Sequence, residues 1–209
     1  MNKEQLLIYM DSILCIDMSI NNIEKNELSI KPKRIMVFAL DFDEIAIYET
    51  ETEIIVSING SDDKKEWKNN FHLYPILYNT HNGFYNRASL YLEKIKDVLD
   101  KLVKETDKPV VFTGYSRGGA LVQVMCWKWN KPLTCVTFGS PRVFTVSGIK
   151  SLTFKHVRVH SKFDPIVRIP MVWILPFFKH YQTEEIKIDK RIKSKFSHTN
   201  YKELIQEFL

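Results

Sequence analysis

At 209 residues, with 44% hydrophobic and 12% aromatic content, the chain is long and apolar enough to bury one sizeable core. Those fractions exclude an intrinsically disordered chain, and 7 Gly with 8 Pro exclude a collagen-like or linker-rich one. The net charge of +5 is too mild and its basic residues too scattered for a dedicated nucleic-acid surface, so no nucleic-acid partner is expected.

The first thirty residues are expected to be helical. Leu6 to Ile20 is apolar but interrupted by Asp11 and Asp17, which marks a packing helix rather than a leader. Three β-type runs follow, Arg34 to Leu40, Ile45 to Glu49 and Ile54 to Ile58, joined by acidic pieces suited to antiparallel turns. Asn59-Gly60-Ser61 breaks the pattern, and Asp62 to Asn70 is almost wholly polar around Trp67. From Phe84 the spacing changes. Phe84, Ala88, Tyr91, Ile95, Val98 and Leu102 recur every three or four residues, the mark of an amphipathic helix.

Val110-Val111-Phe112 reads as a buried strand, and a helix follows from about Gly118 to Trp129. Strands are expected at Leu133 to Phe138, His156 to His160 and Glu185 to Ile188, with a last helix from Tyr201. An antiparallel start followed by alternating strands and helices predicts an α/β sheet, largely parallel in its second half. No repeat or linker divides it, so one domain over 1–209 is expected, with 1–30 as its N-terminal helical segment. Cys15, Cys126 and Cys135 are odd in number, lack C-x-x-C spacing and have apolar neighbours, which predicts buried free thiols. With neither a leader nor an apolar run of bilayer length, the expectation is a cytoplasmic protein, in peripheral contact with lipid surfaces at most.

Between the strand at 110–112 and the next helix stands Gly114-Tyr115-Ser116-Arg117-Gly118-Gly119. A G-x-S-x-G sequence in that setting is a nucleophile elbow. The turn is so sharp that side chains two positions either side of the serine would clash, and Gly114 and Gly118 remove the clash. A serine hydroxyl needs a base, and the base needs a carboxylate to orient it. Asp164, in the Asp-Pro turn after the strand at 156–160, falls at the carboxyl end of a parallel strand, on the elbow's edge. Two later imidazoles, His180 and His198, are open to the role of base on spacing alone. The N–H of Arg117 and a donor from Ser61 after an early strand would serve a developing oxyanion.

These residues resemble the class 3 lipase family, the group of the fungal triacylglycerol lipases. Asn59-Gly60-Ser61 with Glu66-Trp67 is similar to its R-G-[ST] and D-W pieces, and His81-Asn82-Gly83-Phe84-Tyr85 matches H-x-G-F-x. Gly114 to Ala120 matches G-H-S-L-G-G-A, Thr137 to Val143 matches T-F-G-x-P-R-V, and Asp164 to Pro170 resembles D-x-V-P-x-L-P. The resemblance implies an α/β-hydrolase fold with Ser116 as nucleophile, Asp164 as acid and Ser61 as oxyanion donor. It also selects His198, which with Tyr201 resembles D-H-x-x-Y, and makes His180 part of a structural H-x-G-x-E piece. Three departures stand out: Tyr115 and Arg117 replace the His and Leu beside the nucleophile, and Asn59 replaces Arg.

The expected activity is that of a carboxylic-ester hydrolase on acylglycerols or phospholipids, through an acyl-enzyme and with neither metal nor cofactor. The alternative is an inactive lipid-binding protein of the same fold. Arg117 would place a cation beside the nucleophile and favour phosphate or carboxylate head groups. Asp62 to Phe71 has only Trp67 and Phe71 as apolar anchors and would make a poor lid. The apolar run from Pro170 to Phe178 follows the acid turn. Trp173, Ile174, Leu175, Phe177 and Phe178 are expected to form an acyl-chain groove or a lip that touches lipid, with a buried run as the competing reading.

Overall fold

The computed structural model describes residues 1–16, 22–23, 26, 28–40, 43–60, 76–77, 80–131, 133–170, 176–189, 198 and 200–209. In chain order the elements are α1 (Lys3–Leu14), β1 (Arg34–Leu40), β2 (Asp43–Glu49), β3 (Ile54–Ile58), β4 (Ile76–Leu77), β5 (Thr80–His81) and α2 (Asn82–Thr106). Then come β6 (Val110–Tyr115), α3 (Arg117–Trp129), β7 (Thr134–Phe138), β8 (Phe144–Thr145), α4 (Val146–Ile149) and β9 (Lys155–Ser161). A 3-10 turn (Ile166–Arg168), β10 (Phe178–Lys179), β11 (Glu184–Ile188) and α5 (Tyr201–Phe208) complete the order.

Seven strands form one sheet in the order β1-β2-β3-β6-β7-β9-β11. The first two pairings are antiparallel and the remaining four parallel. Side chains alternate across this sheet and feed two cores. Ile45, Ile47, Ile54, Val56, Val110 and Phe112 face α2 and α3, while Ala46, Tyr48, Ile55 and Val111 face α1 and α5. Each fully buried Ile, Leu or Phe contributes roughly 1.5–3 kcal/mol, so both faces hold the sheet. The expected amphipathic helix is α2, whose Phe84, Ala88, Tyr91, Ile95, Leu99 and Leu102 are buried. It ends at Asp107, in the left-handed region at φ 52°.

The N-terminal helix is shorter than the apolar run suggests. Its start is fixed by a capping box, in which the Asn2 side chain accepts from the Gln5 N–H at 2.8 Å and Gln5 Oε1 accepts from the Asn2 N–H at 3.3 Å. Asp11, which interrupts the apolar pattern, is buried and paired with Lys202 Nζ at 2.5 Å, tying α1 to α5. Four two-residue strands form a small second sheet, β10-β8-β5-β4, which the sequence reading did not anticipate. All three cysteines are free and buried.

Parallel strands entering from one end bring their following loops to the other. Ser116 follows β6, Gly139 follows β7 and Asp164 follows β9, all at the same sheet edge.

Candidate active site

β6 runs into α3 through a single residue. Ser116 has φ 54° and ψ −120°, a positive φ that costs a residue with a side chain about 1–3 kcal/mol. Its N–H donates to Phe138 O on β7 at 2.9 Å, which pins the turn to the neighbouring strand. The two expected glycines are sterically required. A Cβ on Gly114 would lie 2.5 Å from the Gly118 carbonyl, and one on Gly118 would lie 2.3 Å from Asn59 O and 2.5 Å from Ile58 O. The end of β3 is therefore pressed against the start of α3.

Ser116, Asp164 and His198, far apart along the chain, form one hydrogen-bonded line. Ser116 Oγ lies 2.7 Å from His198 Nε2, and His198 Nδ1 lies 2.8 Å from Asp164 Oδ2. An ionised carboxylate only accepts, so Nδ1 carries the proton and Nε2 is left to accept from the serine. The three are 1%, 0% and 5% exposed in the order Ser116, Asp164, His198. Asp164 is held by two further donors: the Ile166 N–H to Oδ1 and the Tyr201 O–H to Oδ2, both at 2.8 Å. The Tyr201 oxygen in turn accepts from the Ser161 N–H at 3.0 Å. Burial, and then the Asp164 charge, push the Tyr201 hydroxyl well up, so it stays a donor.

Three supports were not foreseen as such. The Tyr115 O–H donates to His198 O at 2.6 Å, and the two rings lie 5.0 Å apart. Gly139 has φ 58°, and a Cβ there would lie 2.8 Å from Asp164 Oδ2 and from the Tyr201 ring. Arg142 donates to the Arg168 and Pro170 carbonyls, bracing the chain just past Asp164. Gly139 and Arg142 sit in the T-F-G-x-P-R-V piece, whose spacing was the only signal for them.

His180 is engaged elsewhere. Its Nε2–H donates to Val167 O at 2.7 Å, and burial followed by the Arg158 charge pushes it down to about 2. His156 lies between Thr137 Oγ1 at 2.9 Å and Tyr181 O at 2.6 Å, pushed down by burial to about 3. His160 pairs with Glu185 Oε1 at 2.8 Å. These imidazoles serve the layer between β9, β11 and the acid turn.

Two expectations are corrected. Arg117 does not point a cation at the substrate side of the serine; its guanidinium is buried in an ion pair with Asp43 at the start of β2. Phe178 is not part of a lip: it is 1% exposed and packs with His81 and Phe177. Phe177 is 39% exposed. Ser61, the segment from Asp62 to Phe71, and Trp173, Ile174 and Leu175 lie outside the described residues. Among the described residues no group of three His, Cys, Asp or Glu side chains is placed to hold a metal ion.

The family described as Lipase (class 3) matches residues 55–173, more than half of the chain. The chain belongs to the class 3 lipase family. Among curated proteins it is 29% identical over 171 residues to the secreted mono- and diacylglycerol lipase 1 of Fusarium solani, covering 69% of this chain and 51% of that one. The chain thus spans about half the length of this curated relative. Among solved structures it is similar to the lipase of Rhizopus microsporus var. chinensis, with a TM-score of 0.71, 17% identity, and 88% and 71% of the two chains covered. The Rhizomucor miehei triacylglyceride lipase gives a TM-score of 0.70 at 20% identity, with 90% and 78% covered. These neighbours show the class 3 lipase to have the α/β-hydrolase fold. The expectation of a cytoplasmic protein does not stand, because the curated relative is a secreted lipase. Among the described residues no helix is long and apolar enough to cross a membrane.

Proposed function

We propose that this class 3 lipase hydrolyses carboxylic esters of acylglycerols, with Ser116 as nucleophile, His198 as base and Asp164 as the orienting acid. The observation that carries the reading is the unbroken line from Ser116 Oγ through His198 to Asp164, at 2.7 and 2.8 Å. Ser116 Oγ attacks the ester carbonyl while His198 Nε2 takes its proton. Asp164 stabilises the imidazolium, which then protonates the departing alcohol. The Arg117 N–H, directly after the nucleophile, and Ser61 hold the negative oxygen of the tetrahedral intermediate. Water repeats the cycle on the acyl-enzyme. Acylglycerol rather than phospholipid esters fit best, because Arg117 is already neutralised by Asp43 and offers no charge to a phosphate.

A fluorophosphonate probe tests this directly. It is expected to label the purified protein at Ser116, with labelling and short-chain ester turnover both absent from Ser116→Ala. An unlabelled, inactive wild-type protein would instead make it a lipid-binding member of the fold.

A lipid-facing rim follows from the same reading. Phe163, beside Asp164, is 41% exposed, and Val146 and Phe177 are 42% and 39% exposed. The last two are adjacent, the Val146 N–H donating to Phe177 O at 2.8 Å. Lys162 lies 5.2 Å over the Phe163 ring and Lys179 follows Phe178, a mixture of apolar tips and cations suited to a lipid head-group layer. Trp173→Ser with Phe177→Ser is expected to weaken liposome binding about tenfold. Turnover of a soluble short-chain ester should fall far less; unchanged sedimentation with liposomes would remove the rim.

A further inference from the structure

The residue after the nucleophile carries a cation that the family motif, with leucine in that place, does not supply. A cation in the first turn of a helix opposes the helix dipole, and a buried ion pair is seldom more stable than a well-packed apolar one. What such a pair adds is a fixed direction between two elements, and here the two elements are those that flank the oxyanion turn.

In the β2/β3 register Ile45 faces Ile58, so continuing it places Asp43 level with Gly60. In the β3/β6 register Ile58 faces Gly114, so Ser116 is level with Gly60 as well. Asp43, Gly60 and Ser116 therefore form a row across three strand ends. The main chain is already tight in this row: a Cβ on Gly60 would lie 2.8 Å from the Tyr115 ring and 3.4 Å from Ser116 Cβ. Asp43 shares its sheet face with Ile45 and Ile47, which pack against α2 and α3. The Arg117 side chain thus crosses on that face, past Asn59-Gly60, to reach Asp43.

Both carboxylate oxygens of Asp43 are held. Oδ1 accepts from Arg117 Nη2, and Oδ2 accepts from the Tyr91 hydroxyl at 2.5 Å, with Arg87 Nη1 3.9 Å away. The Asp43 side chain is 0% exposed and that of Arg117 is 6% exposed. Tyr91 and Arg87 both come from α2, so the carboxylate is anchored from a third element.

The geometry points to Arg117 and Asp43 as a positioning pair that clamps the elbow against the Asn59-Gly60 turn and so fixes the Arg117 N–H, the proposed oxyanion donor. This rests on the ester-hydrolase reading and names what holds that donor in place. The pair touches no substrate. Its effect is to keep the Arg117 N–H aimed where negative charge develops, so it acts on the transition state more than on ester binding.

The experiment compares wild type with Arg117→Leu, Arg117→Lys and Tyr91→Phe. It reads kcat and KM on p-nitrophenyl butyrate, the Kd of butaneboronic acid, and the melting temperature. The boronic acid mimics the tetrahedral intermediate: Ser116 Oγ bonds to boron, its proton passes to His198, and the boron becomes a four-coordinate anion. Arg117→Leu is expected to lower kcat and boronate affinity together by about tenfold, with KM within about twofold, because a donor displaced by a fraction of an ångström loses transition-state contact first. Arg117→Lys, which keeps the charge, should recover part of both losses.

A folded Arg117→Leu protein with kcat and boronate affinity within twofold of wild type would overturn the proposal. If that variant fails to fold, Tyr91→Phe decides: both charges stay, a loss of about threefold in kcat and boronate affinity is expected, and none overturns the pair. A wild-type protein that neither cleaves the ester nor binds the boronate fails at the hydrolase reading itself. An active wild type with indifferent variants fails only at the clamp.

Discussion

Asp164→Asn is expected to lower kcat about 10⁴-fold while the protein stays folded, the size of loss seen when a triad base is left in the wrong tautomer. The surroundings of Asp164 leave the amide no good orientation. Oδ2 receives His198 Nδ1–H and the Tyr201 O–H, while Oδ1 receives the Ile166 N–H. If the amide nitrogen takes the Oδ2 place, it meets the tyrosine donor and drives His198 to carry its proton on Nε2. The ring then presents a donor to Ser116 and no longer acts as a base. If the nitrogen takes the Oδ1 place, it meets a main-chain N–H that has nowhere to turn. The measurement is kcat on a soluble short-chain ester, with circular dichroism as the check on folding. A loss under about tenfold would remove Asp164 from the proposed triad.

Gly118→Ala is expected to be the most damaging single-methyl change in the described chain. The added Cβ would sit 2.3 Å from Asn59 O and 2.5 Å from Ile58 O, both main-chain atoms at the end of β3. Neither can swing aside as a side-chain tip can. Overpacking of this kind costs upwards of about 3 kcal/mol, and relief comes only by parting β3 from the start of α3. That movement would shift the Arg117 N–H proposed as oxyanion donor, so turnover should fall further than stability accounts for. Chemical denaturation and kcat measured on the folded protein check the two parts. A variant that melts with wild type and keeps its rate would show that the close approach of β3 and α3 is not needed.

The elbow was legible because Gly114 answers a steric demand local to five residues, against the Gly118 carbonyl; the demand on Gly118 comes from the end of β3 and was not legible. Asp164 was legible for a related reason: an Asp-Pro turn directly after a buried strand has few other places to go. Spacing favoured His198, on a polar loop before the last helix, only weakly over His180, and it was the D-H-x-x-Y resemblance that selected it. The physical reason is a non-local contact, the bond from His180 to Val167 O, which forms once the acid turn folds over β9. Arg117 was misread for the same kind of reason. Its partner Asp43 lies 74 residues earlier, at the start of a strand whose charged end looked like a turn. The run from Pro170 to Phe178 has no alternation, so nothing in it says that Phe178 is buried and Phe177 exposed. The two-residue strands are too short to carry a period at all. The cytoplasmic reading went wrong because an apolar run broken by Asp11 describes how α1 packs, not where the protein works.

The backbone at Ser116 has a practical corollary. At φ 54° a side chain is a liability and glycine is at ease, so the proposed nucleophile stands at one of the positions least comfortable for the fold. An engineering campaign that ranks variants by heat tolerance alone would be rewarded for exchanging this serine. Library screens on this scaffold should therefore score ester cleavage alongside survival, or, on the proposed role of Ser116, they will select durable proteins without the nucleophile.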